Sequence, residues 1–469
     1  MSFCLILSFR KDVSIMEIPG GNIVLQAVGI GLKLDMLSPG AIAAFAVLLS
    51  EGLTRDGLSD IVLEKDGFSG LPKFNYYLEN FIHLGLICHK VSVDNLPLVK
   101  IVPHSPVCKL QLSNLALDTQ YSLSRFAYAH KNQGEMILES PLSHAQITLA
   151  DWRGMAIITE LVKPRSIQEL ASIIPGLSEE LLQVFLSFLL SAEMIYEFPD
   201  TAHIEEENSE TLGQWEFHDL LFHFRSRRGR HLNPVGKTYR LLNKIEPLPV
   251  ITEVESQERI NLYKPDIEKL KETDYPFSLV LEERKSIRNY GDKPLSAEQI
   301  GEFLYRCARV RGVFSKDYRE VSNRPYPSGG ACYELEIYPV ITACDGILAG
   351  FYHYCPQNHQ LSKLSEINTH VNQLLEEAKW TATLETQPLV LIIVTARFAR
   401  VSGIYESMAY SLILKHVGVL YQTMYLVATA MNLAPCALGT GNSDLFARAM
   451  DINSYGELSV GEFILGSRL

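Results

Sequence analysis

The chain has 469 residues, 42 of them basic and 54 acidic, giving a net charge of −12, and 47% of it is hydrophobic. That length suits about three domains with buried cores. The acidic balance excludes a general polyanion binder, because nucleic-acid affinity comes largely from phosphate neutralisation by Lys and Arg, so any anion site must be local.

The N-terminal run "MSFCLILSFRK" is apolar but lacks a basic n-region and a cleavage site, so it reads as a strand and not a signal peptide. A weak internal repeat follows at an offset of about 115 residues. Each copy has short β-prone runs, a Leu, an amphipathic helix and further helices. The copies span 1–115 and 116–205 and look like tandem winged-helix modules. Pro175 and Gly176 break the chain before the last helix of the second copy, and Ser178 is its expected N-cap. That helix, Leu181 to Ser191, is where a DNA reader would carry its contacts, yet it has no Lys or Arg. A peptide-binding or scaffold module is the better reading.

Residues 206–275 read as a linker. The acidic run "HIEEENSE" around Glu205 is its solvated start. Arg225 to His231 is the densest positive patch of the chain. It is either salt-bridged to the acidic surface or in contact with cofactor or substrate.

From about Pro276 to the end the pattern becomes α+β. Ser296 is the expected N-cap of a helix, "ELEIYPVITA" and "PLVLIIVTARF" read as strands, and a hairpin turns around Pro356 and Asn358. The apolar helix from about Ser407 to Leu433 is interrupted by Lys415, His416 and Gln422, which suits a core helix and not a membrane span. The eight cysteines are scattered without a CxxC pair, as free thiols of a reducing cytoplasm are. Cys355 and His359 lack a second ligand pair, so no metal is expected.

Four features of this last region belong together. In "LEERKSIRNYG", Arg284, Ser286 and Arg288 alternate, so an extended backbone aims two guanidinium groups and a hydroxyl at one point. In "RPYPSGGACYELEIYPV", Pro327, Ser328, Gly329 and Gly330 form a turn whose glycines admit a flat ligand. In "CALGTGNSD", Gly439 and Gly441 flank Thr440 and expose N–H groups. The tail "ILGSRL" ends on Arg468 and Leu469.

In their order and spacing these motifs resemble the FMN-dependent nitroreductase superfamily from about residue 280 onward. Within it they resemble the azoline dehydrogenases of thiazole- and oxazole-containing peptide pathways (SagB-type), and most closely the cyanobactin oxidases. "SLSRFAYAHKNQGEMILESPLSHAQITL" and "FHFRSRRGRHLNP" match that subgroup too. The resemblance implies a cytoplasmic α+β protein. Its nitroreductase-like FMN domain, 276–469, would follow the peptide-recognition-like modules, in a homodimer with FMN at the subunit interface. Arg284, Ser286 and Arg288 match the family's phosphate and ribityl contacts. Pro327, Ser328 and Gly329 match the turn beside the isoalloxazine, and Leu438, Gly439 and Thr440 the segment near flavin N5. Arg468 matches a C-terminal basic residue at the phosphate.

The implied substrate is a precursor peptide bearing thiazoline or oxazoline rings, oxidised to thiazole or oxazole. A hydride goes to FMN N5, a proton goes to a base, and O2 reoxidises the flavin. The family's Lys-Tyr base pair falls at "SGIYES", where Tyr405 is present but Ile404 stands in place of Lys. Tyr405 then needs a nearby cation to ionise. Lys415 and His416 cannot touch it within one helix, so Arg397 and Arg400 are the candidates in sequence to polarise it, while a base from the partner subunit, loss of the proton to water, and a Tyr405 that only packs on flavin or substrate stay open. Two other readings stay open: an NAD(P)H-dependent nitro or quinone reductase, and a winged-helix binding protein with a vestigial flavin fold.

Overall fold

The computed structural model describes residues 3–18, 22–93, 96–110, 112, 114–198, 206, 209–316 and 318–469. Glu205 and most of the acidic run around it lie outside the described residues. The chain divides into two compact units, Met1–Asn233 and Pro234–Leu469. No helix among the described residues is long and apolar enough to cross a membrane.

In the first unit the internal repeat reappears as a repeated element order. The first copy runs β1 (Phe3–Phe9), β2 (Ser14–Ile18), β3 (Asn22–Ala27), β4 (Ile30–Leu34), α1 (Pro39–Leu49), α2 (Arg55–Asp66), α3 (Leu71–His83), β5 (Ile87–Val93) and β6 (Leu96–Pro103). The second runs β7 (Gln120–Leu123), β8 (Tyr128–Asn132), β9 (Glu135–Glu139), β10 (Ala145–Leu149), α4 (Trp152–Glu160), β11 (Arg165–Ser166), α5 (Ile167–Ile173), α6 (Glu179–Ser191) and β12 (Ile195–Phe198). β1 pairs antiparallel with β5, and β7 with β12, so the strand after each helix triplet folds back onto the strand that opened the copy. Ser178 caps α6 by accepting from the Leu181 N–H, and Leu181, Leu182, Phe185, Leu186, Phe188 and Leu189 are buried. A helix buried to that extent has little surface left for a DNA groove.

The basic segment is used up inside this unit. Arg225 closes α7 (Phe217–Arg225), bonds the Tyr128 hydroxyl through Nη2 at 2.9 Å and pairs with the Glu139 carboxylate. Burial raises the Glu139 pKa, but the Arg225 guanidinium outweighs it and holds the carboxyl below its ordinary range. Arg230 donates to the Pro141 and Leu142 carbonyls at 2.9 Å. Of the two readings of this patch, Arg225 and Arg230 take the structural one.

The second unit begins at Pro234 and therefore takes in much of the stretch read as linker. Its centre is an antiparallel sheet in the spatial order Arg259–Asn261, Gln360–Ser365, Gly350–Cys355, Leu335–Ile341, Val390–Arg397, Glu457–Ser467 and Leu433–Leu438. Every residue of the two central strands is buried, which explains their unbroken apolar character. The long helix Ala409–Ala430 packs Ile413, Val417, Leu420 and Met424 on one face of the sheet. The helices Thr369–Ala382 and Ser443–Met450 cover the other. Ser296 caps its helix in a reciprocal box with Gln299. His359 bonds Tyr354 through Nδ1 and the Tyr263 carbonyl through Nε2, so neither ring nitrogen is left for a metal.

A buried ion pair ties the start of this unit to the sheet. Arg397 Nη2 lies 2.9 Å from Glu336 Oε1, and His353 Nε2 lies 3.1 Å from Oε2. Arg397 also donates to the Pro249 and Val250 carbonyls. Burial alone would raise the Glu336 pKa, but Arg397 and then His353 reverse this and hold it at about 2, against an ordinary 4.5. A depressed folded-state pKa contributes stability that is present above the unfolded value and lost as pH falls through the folded one. Unfolding free energy measured by denaturant titration should therefore drop between about pH 4.5 and pH 2. Glu336→Gln should be less stable at neutral pH and flatter across that window.

Candidate functional site

Two groups of predicted residues converge on the long helix. Arg284 ends the helix Phe277–Glu283, and the chain then runs alongside the edge strand, with the Ile287 N–H donating to the Pro435 carbonyl at 2.8 Å. This places the Ser286 hydroxyl 2.7 Å from the Tyr425 hydroxyl, which accepts from the Ala437 N–H at 2.8 Å. The Arg284 guanidinium lies 5.4 Å from the Tyr425 ring centroid. Arg288 acts electrostatically on the half-buried Tyr290, and Arg468 Nη1 donates to Asn432 Oδ1 at 3.0 Å. Tyr425 lies in the last two turns of the helix Ala409–Ala430 and Asn432 just beyond its end, so the partners of Arg284, Ser286 and Arg468 lie at one end of the helix. Arg284, Arg288 and Arg468 have no acidic partner among the described residues.

The second group surrounds the glycine turn. The Gly329 N–H donates to His416 Nε2 at 2.7 Å, and His416 Nδ1 lies 2.6 Å from Glu334 Oε1. With Nε2 accepting, the ring proton sits on Nδ1 and goes to the carboxylate. Ser328 Oγ accepts from the Tyr333 N–H at 3.0 Å and contacts the other Glu334 oxygen at 3.4 Å. Ser328 and the Gly329 amide thus hold the turn's own shape, while Pro327 is exposed. Gly330 has φ +64°, and a Cβ there would lie 2.9 Å from the Tyr405 hydroxyl.

Tyr405 pairs in register with Lys237 in a two-stranded sheet, and Lys237 Nζ is 6.0 Å from its ring centroid. Burial pushes the Tyr405 phenol above its ordinary pKa of 10.0, Cys332 adds to the rise, and Arg319 pulls against it. Arg397 and Arg400, expected from sequence to polarise Tyr405, are engaged elsewhere. Arg397 is bound to Glu336, and Arg400 donates to the Cys332, Leu248 and Glu320 carbonyls. Both also donate to carbonyls of the 248–250 segment. Leu438 ends the edge strand and, with Thr440, lines a cavity of about 480 Å³ shared with Glu377, Asn442 and Glu462. A Cβ on Gly439 would meet nothing within 4 Å.

Tyr425, His416, Glu334, Lys237 and Arg319 were not identified as site residues. Tyr425, His416, Glu334 and Lys237 meet partners more than 80 residues away, which no local spacing announces, and Arg319 reaches Gly330 11 residues on only through the hairpin. The cationic corner and the open backbone at Gly439 fit a flavin mononucleotide. The guanidinium groups have no ion-pair partner among the described residues, and Ser286 supplies a hydroxyl at the same end of the helix. His416 and Tyr425 are nine residues apart, about 13.5 Å along the helix and half a turn around it, so the glycine turn and the cationic corner lie on opposite sides.

Comparison with known proteins supports an oxidoreductase that carries a nitroreductase-family domain. Three family profiles match the chain in succession: the ThcOx helix turn helix domain over residues 1–112, cyanobactin oxidase ThcOx over 121–232 and the nitroreductase family over 281–466. In this succession the chain is similar to the cyanobactin-type oxidases of the nitroreductase superfamily. A protein of Methanocaldococcus jannaschii named as a nitroreductase is 28% identical over 191 residues, 41% of this chain and 89% of its own. Among solved structures, a nitroreductase from Ralstonia eutropha is 19% identical, covering 50% of this chain and 98% of that one, with a TM-score of 0.36. The E. coli microcin synthetase complex with a truncated pro-peptide bound contains a chain 21% identical, covering 53% and 86%, with a TM-score of 0.35.

Gly330→Ala tests how tightly the turn and Tyr405 are coupled. A side chain at positive φ is strained and should cost about 1 kcal/mol in denaturant unfolding. Its Cβ should also displace the Tyr405 ring, lowering turnover further than the stability loss explains.

Proposed function

We propose that the protein is an FMN-dependent oxidase that converts thiazoline or oxazoline rings of a ribosomally made, cyanobactin-like peptide to thiazole or oxazole. One observation carries this reading: a corner of cations without described ion-pair partners and a glycine turn with the half-buried Tyr405 phenol beside it stand on opposite sides of one helix. The corner, Arg284, Ser286, Arg288 and Arg468, holds the phosphate end of the cofactor, and Leu438, Gly439 and Thr440 face its ring system beside Pro327, Ser328 and Gly329. When bound, the flavin supplies a hydride acceptor at N5, which O2 restores.

Because the turn and the corner lie half a helical turn apart, a second copy of the chain supplies the turn to each cofactor. The exposed apolar residues Phe277, Leu279, Leu281 and Leu414 suit burial between copies. Tyr405 handles the proton lost from the ring. Lys237 and Arg319 flank it and favour its ionised form, in place of the lysine expected at position 404. The segments matched outside the nitroreductase profile favour a peptide substrate over a small quinone.

The decisive experiment incubates the purified, flavin-loaded protein with a thiazoline-bearing peptide. The mass should fall by about 2 Da per ring, the two hydrogens removed. No mass loss, together with rapid flavin bleaching by NADPH, would overturn the reading in favour of a reductase. Arg284→Ala should weaken FMN binding about 10-fold, the scale of one lost charge-assisted bond, as read from flavin retained after desalting. Tyr405→Phe should keep the flavin and lose about 100-fold in turnover. Since the phenol's pKa is raised above 10.0, the wild-type rate should climb with pH through the neutral range without a plateau below that value.

A further inference from the structure

Arg319 stands on the hairpin Gly312–Lys316 and Arg319–Asn323, beside the glycine turn. Its Nη2 donates to the Gly330 carbonyl at 2.6 Å. Its Nη1 is buried and has no hydrogen-bond partner among the described residues. A guanidinium N–H out of water without an acceptor is costly, and such a group in a native fold marks a place where an acceptor arrives. Gly330 connects it to the proposed chemistry, because the same residue sits against the Tyr405 hydroxyl. Arg319 also lines a groove that runs away from this point. One wall is the 241–249 segment, with Leu242, Ile245 and Leu248, and another is Tyr318. Leu242, Ile245 and Leu248 are 40%, 57% and 37% exposed, and the rim carries Glu246 and Glu320. An apolar trough with acidic edges suits an apolar side chain and repels an acidic one.

The acceptor that this donor awaits follows from the reaction proposed above, on which the inference rests. The ring carbon that loses its proton carries the peptide carbonyl. As that C–H bond breaks, its electron pair delocalises toward the carbonyl oxygen and the proton passes to the Tyr405 phenolate. Negative charge thus develops on an oxygen near Tyr405, where a preorganised donor is worth most. We propose that Arg319 Nη1 holds the carbonyl oxygen on the carbon that loses its proton, and that the groove beside it takes the side chain of the residue that follows. Arg319 is then a catalytic residue toward the substrate, and through its bond to Gly330 it also fixes the turn.

Binding separates this from a structural role. The flavin-loaded protein is titrated with two fluorescent thiazole peptides, one bearing the carbonyl and one with a methylene in its place. The wild type should prefer the carbonyl form roughly 10-fold, the scale of one hydrogen bond to a charged donor. Arg319→Met should bind both within twofold of each other. Arg319→Lys, which keeps a cation able to reach Gly330, should retain part of the preference and guards against a fold defect. In turnover, Arg319→Met should shift the rising limb of the pH–rate profile to higher pH, because the cation opposing the raised Tyr405 pKa is gone. Unchanged carbonyl discrimination in Arg319→Met would overturn this assignment alone. Failure of the wild type to bind either peptide would overturn it together with the proposed function.

Discussion

Glu334 is the constraint on which the rest of the site depends. It is fully buried at the entry to a central strand, where an ionised carboxylate is tolerated only if its oxygens are matched. The His416 Nδ1–H meets one oxygen and Ser328 approaches the other. His416 then spends its second nitrogen on the Gly329 amide. Strand, long helix and glycine turn are thereby locked by one chain of polar contacts, and Gly330 inherits the positive φ that brings its backbone against Tyr405. The dyad resembles a catalytic acid–base pair in composition, but both imidazole nitrogens are committed to protein partners, so its work is to position the turn.

The long helix organises what that lock leaves free. Its buried row, Ile413, Val417, Leu420 and Met424, is fastened to the sheet, so the directions of the other residues are set by helix geometry alone. His416 is directed to the turn and Tyr425 to the cationic corner, half a turn away. A single copy therefore separates the glycine turn from the cationic corner by the thickness of a helix. The exposed leucines and Phe277 on the neighbouring short helix show the same division from another direction, since only Val280 of that helix is buried. An apolar helix face left in water is costly unless something covers it.

Much of this architecture was legible in the sequence, wherever the signal was local. Ser178 and Ser296 announce helix starts because a capping side chain bonds an amide only a few residues on. The strand Val390–Arg397 reads as buried because both its faces are covered. The repeat is visible because each copy repeats its pattern of hydrophobic and turn residues. Arg225 to His231 stood out as a charge cluster, yet the carboxylate and carbonyls that absorb Arg225 and Arg230 lie some 86 to 89 residues away. Arg397 and Arg400 misled for a related reason. Proximity in sequence to Tyr405 put them forward, while strand direction turned them to Glu336 and to carbonyls of other segments. Tyr425 gave no signal at all, because a tyrosine on an apolar helix reads as core.

The missing lysine at position 404 has a physical explanation in the same geometry. Ile404 is 2% exposed and belongs to the main core of the second unit, and its carbonyl accepts from the Thr238 and Tyr239 N–H groups. A lysine there would bury an ammonium among the apolar side chains of that core, at a cost of several kcal/mol. The backbone contacts at Ile404 are also what draws in the strand carrying Lys237, which enters in register with Tyr405. The residue that forbids a lysine beside the tyrosine in sequence thus recruits one across from it in space. An ammonium on that facing strand stays exposed and hydrated, 6.0 Å from the centroid of the tyrosine ring. Arg319 acts from the turn, so the phenol is bracketed by two cations, neither of which is its neighbour along the chain.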